Sequence, residues 1–141
     1  MKMDRIVVAV DGSANSIAAV SWAADLAVVT GAEVVAVHAL GLLEGSDAEG
    51  PVPTQSHREE IRTRFESTWC SPLAEAEVGC RHLLRDGNPV SVILAVADEE
   101  AVDLIVVGSR GLGGYPELLL GSTSTQIAQR SSRPVVIVPT V

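Results

Sequence analysis

The chain predicts an α/β fold: one doubly wound, five-stranded parallel sheet with helices on both faces. Three observations carry this. Short β-branched runs alternate with segments of helical periodicity along the 141 residues. The runs are apolar at consecutive positions, the pattern of strands buried on both faces. Hydrophobic residues make up 47% of the chain but aromatic ones only 3%, so the core is built from Val, Ile, Leu and Ala.

The first strand is Ile6–Val10, ended by the turn cluster Asp11-Gly12-Ser13. Ser13 or Ser16 then caps a helix whose apolar positions Ile17, Val20, Ala24, Ala27 and Val28 recur at helical spacing, with Gly31 at its C-terminal cap. Glu33–Ala39 is the second strand. A polar segment with Gly and Pro follows, from Gly41 to Gln55, and reads as a mobile surface loop. The next helix carries Ile61, Phe65 and Trp69 at four-residue intervals and must end or kink near Pro72. Cys80–Leu84 is a weaker third strand.

Gly87-Asn88-Pro89 breaks the chain and starts another helix, with Val90, Ile93, Leu94 and Ala97 as its apolar stripe. Asp98-Glu99-Glu100 reads as a solvated acidic turn before the fourth strand, Leu104–Val107. A Gly-rich loop, a helix from Ser122 to Ser131 and a fifth strand, Pro134–Val138, complete a βαβαβαβαβ order in one domain. Such alternation specifies parallel strands and right-handed crossovers. Ligands of such sheets sit beyond the carboxyl ends of the strands, where strand order reverses.

Composition excludes some partners. The net charge is −8 and Lys2 is the only lysine. A phosphate-backbone binder needs a basic face, so nucleic acid is not expected. No apolar run approaches the roughly 20 residues that span a bilayer. Met1–Arg5 leads into a strand without signal-peptide architecture, so a cytoplasmic protein without a membrane partner is expected. Cys70 and Cys80 stand in neither Cys-x-x-Cys nor zinc spacing and read as reduced structural thiols.

The chemistry concentrates after strand four, in Gly108–Thr123. Glycines let the backbone approach a ligand, and curved runs of N–H groups form anion nests. Gly121-Ser122-Thr123 opens a helix whose amides and positive dipole end suit phosphate. Arg110 is the one cation of that loop. No Gly-x-x-x-x-Gly-Lys-Ser/Thr is present, and no Gly-x-Gly-x-x-Gly follows strand one, so the stretch is neither a P-loop nor a dinucleotide fingerprint. Asp11 ends strand one and faces this loop across the crevice, placed for a ribose, a base edge or a metal ion; it serves equally as a turn or helix cap. His38, His57 and His82 have no serine or carboxylate at a suggestive spacing, and His38 reads as a packed or hydrogen-bonded side chain. Trp22 and Trp69 read as packing. No nucleophile–base–acid set emerges.

Val8-Ala9-Val10-Asp11-Gly12-Ser13, the spacing Gly108-x2-Gly111-x9-Gly121-Ser122 and the ending Arg133-Pro134-Val135-Val136-Ile137-Val138-Pro139 together resemble the universal stress protein family, over essentially the whole chain. The resemblance implies strand order 3-2-1-4-5 and the ATP-binding branch of that family. It places Ala9 and Asp11 at the adenosine end, Ala39 near the base, and Val107 and Gly108 behind the ribose. Arg110, Gly111, Gly121, Ser122 and Thr123 would hold the phosphates, Arg110 on its charge alone. It also implies a homodimer joined through Val135–Val138. Tyr115-Pro116-Glu117 makes this loop stiffer and more acidic than the usual one; Glu117 would repel a triphosphate unless it faces solvent or helps hold Mg²⁺. The expected function is an ATP-binding stress-response protein, a nucleotide-dependent switch or sensor without efficient catalysis. A slow ATPase, or a protein for a cyclic or signalling nucleotide, is the alternative.

Overall fold

The computed structural model describes residues 1–40, 55–110 and 120–139. Five parallel strands form one sheet: β1 (Arg5–Ala9), β2 (Glu33–Ala39), β3 (Cys80–Arg85), β4 (Leu104–Gly108) and β5 (Val135–Val138). Their spatial order is β3-β2-β1-β4-β5, as expected. Val7 of β1 lies opposite Val35 on one side and Ile105 on the other, so β1 is central and β1/β4 is the point where strand order reverses.

Strand residues alternate between two cores. Ile6, Val8, Val34, Ala36 and Val106 face helix α1 (Ala14–Thr30) together with Phe65, Cys70 and Leu73. Val7, Val35, Val37, Ile105 and Val107 face α4 (Pro89–Glu99) and Ile127 of α5 (Ser122–Arg130). This double burial is why β1, β2 and β4 read as unbroken apolar runs. The edge strand β3 is only half-buried, and its sequence signal is correspondingly weak.

Local chemistry sets the helix ends. Ser13 caps α1, its Oγ accepting from Ser16 N at 3.1 Å, and Gly31 ends it at φ 76°. Asn88 caps α4 by accepting from Val90 N at 2.9 Å, with Pro89 in the first turn. Between β2 and β3, α2 (Gln55–Arg64) passes into a π-helical turn, Phe65–Trp69, and then breaks at Cys70. The expected interruption at Pro72 therefore falls slightly earlier, and Pro72 sits in the first turn of a separate short helix, α3 (Ser71–Glu75).

One expectation is extended and one corrected. Asp98 and Glu99 are solvated at the end of α4 and Glu100 lies in the turn that follows, as expected, but all three carboxylates are ion-paired. Asp98 pairs with Arg133, Glu99 with Arg85, and Glu100 with Arg81 and Arg5. The arginines come from or flank β1, β3 and β5, so the parallel sheet gathers charges that are far apart in sequence. Trp22 is 38% exposed, and the packing expected of it is only partial; Trp69 packs against the core as expected.

Candidate functional site

A cleft opens at the carboxyl ends of β1 and β4, where ligands of doubly wound sheets bind. Its walls follow from the topology. β1 brings Ala9, Val10 and Asp11; β2 brings Val37, His38 and Ala39. From β4 come Val107, Gly108 and Arg110, and the first turn of α5 adds Thr123 and Ser124. Ser16, Pro89 and Ile93 close the remaining sides.

The turn after β1 is held by its own side chains. Asp11 Oδ1 accepts from Ser13 N at 2.9 Å, and Ser16 Oγ accepts from Asp11 N at 3.2 Å while donating to Ser13 O at 3.1 Å. Gly12 takes φ +83°, where a side chain is strained. A Cβ on Gly12 would stand 2.7 Å from the Trp69 indole, so the glycine also makes room for that ring.

The segment after β4 begins and ends at one point. Ser109 N donates to Val138 O at 2.9 Å, and Gly121 N donates to Ser109 O at 2.6 Å. The Ser124 hydroxyl, 2% exposed, donates to the same Ser109 carbonyl at 2.9 Å. This clamp carries the N-terminus of α5 to the crevice. Gly121 caps α5 without any side chain, leaving first-turn amides open to an external acceptor.

His38 lines the cleft and reaches across to β1, Nδ1 lying 2.6 Å from Val10 O. A carbonyl only accepts, so Nδ1 carries the proton. Burial lowers the His38 pKa below its usual value; the Val10 hydrogen bond and the Asp11 charge act in the opposite direction. Among the described residues the ionisable groups of the lining are Asp11, His38 and Arg110.

Of the residues that the sequence singles out, Ala9, Asp11, Ala39, Val107, Gly108, Arg110 and Thr123 come together in this lining. Gly121 and Ser122 stand beside it at the start of α5. Gly111 and Glu117, like the Gly41–Gln55 loop up to residue 54, lie outside the described residues. Sequence reading missed Ser124, Ser16, Pro89 and Ile93. The signal for Ser124 was present in the Ser-Thr-Ser-Thr run after Gly121, but nothing local says which hydroxyl turns inward. Among the described residues no group of three or more His, Cys, Asp or Glu side chains could hold a metal ion.

The fold and cleft define a class: a small doubly wound α/β protein whose crevice is lined, among the described residues, by a carboxylate, an imidazole, a guanidinium and a helix N-terminus. The universal stress protein family model matches residues 2–139, and the chain belongs to that family. It is 35% identical over 145 residues to the universal stress protein YxiE of Bacillus subtilis, covering 96% of this chain and 98% of that one. It spans less than half the length of several other curated relatives that it matches. Among solved structures, a universal stress protein in complex with cAMP superposes with TM-score 0.78 at 27% identity, over all of both chains. The structure of MJ0577 superposes with TM-score 0.87 at 22% identity, over 100% of this chain and 99% of that one.

Proposed function

We propose that the chain binds an adenine nucleotide, ATP with Mg²⁺, in the cleft between β1 and β4, and acts as a nucleotide-dependent switch or sensor rather than an efficient catalyst. The observation that carries this is the convergence of Asp11, Arg110 and the first turn of α5, which no described side chain caps, on one crevice. A ribose has hydroxyls for the Asp11 carboxylate. A phosphate chain has oxygens for Arg110, for the α5 amides and for the hydroxyls of Ser122 and Thr123. Mg²⁺ takes oxygen ligands and keeps waters, so phosphate oxygens with Asp11 at hand would suit it. Gly111 is assigned to the phosphates on its place in the loop motif.

Calorimetry of the purified chain with ATP and Mg²⁺ tests this reading. Heat of binding at up to millimolar ATP is expected; its absence removes the proposal. The relative in complex with cAMP supports a second reading, a cyclic nucleotide in the same cleft. A thermal-shift series with ATP, AMP and cyclic AMP separates the two, because the tighter ligand raises the melting temperature more.

The same reading includes a homodimer through β5. Among the described residues that strand is a sheet edge, the kind of element to which a second strand can add. A sedimentation mass of one chain would count against it. No described helix is long and apolar enough to cross a membrane, and a cytoplasmic location without membrane or nucleic-acid partners fits the acidic composition.

A further inference from the structure

Asp11 is flanked by two peptides that side chains of other elements hold. On its N-terminal side, the Val10 carbonyl accepts from His38 Nδ1 at 2.6 Å. On its C-terminal side, the Trp69 indole occupies the place where Gly12 would carry a side chain. The two rings also touch each other, with centroids 5.1 Å apart and planes at 73°. Trp69 is not among the described residues of the cleft wall; it meets the residues around Asp11 at Gly12 and His38.

The backbone that delivers Trp69 is itself unusual. Phe65–Trp69 is a π-helical turn, a wider turn found often at functional sites. It leaves Phe65 fully buried while Trp69, four residues on, reaches the turn after β1. Phe65 packs in turn on His38, with centroids 5.9 Å apart.

We infer that Trp69, acting with His38, is a positioning residue that sets Asp11 for the sugar of a bound nucleoside. The inference rests on the nucleotide reading above and sharpens it. Adenosine recognition depends on Trp69, whereas phosphate binding at Arg110 and α5 does not.

Calorimetry on the full chain with adenosine and with inorganic tripolyphosphate, each alone, tests this. Trp69→Leu is expected to weaken adenosine about tenfold, the worth of one misplaced hydrogen bond to a charged group. Tripolyphosphate affinity stays within about twofold, and Trp69→Phe recovers most of the adenosine affinity, because the ring contacts persist. In an Asp11→Ala background, Trp69→Leu adds no further loss, as coupled positions require. Equal weakening of both ligands, or the same adenosine loss without Asp11, overturns the inference.

Should Trp69→Leu fail to fold, the Trp22→Phe protein carries Trp69 as its single tryptophan and needs no change at the site. Adenosine should then alter its emission and tripolyphosphate should not; an unmoved spectrum at saturating adenosine overturns the inference. A wild-type chain that binds no ATP removes the nucleotide reading and this inference with it, whereas one that binds ATP but not adenosine removes this inference alone. Wild-type binding of adenosine that Trp69→Leu leaves intact removes this inference alone.

Discussion

Gly108, the last residue of β4, meets the backbone of Asn15 in the first turn of α1. A Cβ on Gly108 would lie 2.7 Å from the Asn15 carbonyl oxygen and 2.8 Å from its carbonyl carbon. The absence of a side chain lets α1 close down on the end of β4. Gly108 is thus required by packing, whatever the cleft holds.

Gly108→Ala should therefore destabilise the chain, because the clash is with backbone that cannot rotate away. The expected cost is about 1–3 kcal/mol, typical of overpacking. Denaturant unfolding measures it; a variant as stable as wild type would show that α1 shifts freely.

Ser124→Ala removes the hydroxyl that donates to Ser109 O but leaves the Gly121 N–H bond to the same carbonyl. The acceptor is not orphaned, so the loss should be about 1 kcal/mol. Ligand affinity should fall with it, since the clamp orients α5. Unfolding and calorimetry on one sample check both.

His38 links stability to pH. Its folded pKa is lowered, so between that value and its unfolded value, near 6.5, the unfolded chain binds more protons. Stability from this group is complete above the unfolded pKa and falls as pH drops, by at most about 1.4 kcal/mol per pH unit. Melting temperatures between pH 7.5 and pH 5 should decline, and His38→Asn should flatten that slope. The carboxyls of Glu100 and Asp103, held low by Arg81 and by the Asp4 and Arg5 amides respectively, lose their contributions only in the more acidic carboxylate range.

Burial pushes the Cys70 thiol up to about 12, and burial raises Cys80 as well. The thiolate is the reactive form, so neither should react quickly with an aromatic disulfide reagent at pH 8. Urea should release both. Fast labelling of Cys70 in the native chain would contradict its 1% exposure.

Strands buried on both faces announced themselves, because Ile6–Val8, Val34–Val37 and Leu104–Val107 have no polar face to interrupt the run. Caps were equally legible at Ser13, Gly31 and Pro89, where the chemistry lies within three residues of the helix end. The residues of the cleft lining were legible at Asp11 and Gly108, where a motif marks them, and at Arg110 through its charge. It was not legible at Ser124, whose partner is 15 residues away, nor in the pairing of Trp69 with Gly12, which spans a strand, two helices and the segment 41–54. Trp22 and Trp69 look alike in a periodicity reading, yet one is exposed and the other braces the crevice.

From its residues alone, then, this chain determines its class. Continuous apolar strands alternating with capped helices leave a parallel, doubly wound sheet as the arrangement that buries them, and Asp11 and the Gly-rich stretch mark where a ligand belongs. Only the tertiary structure decided what holds those residues. His38, Trp69 and Ser124 act through contacts between elements distant in sequence, and only the packed sheet brings those elements together. Local propensity carries no record of a contact that exists only after the chain has closed on itself.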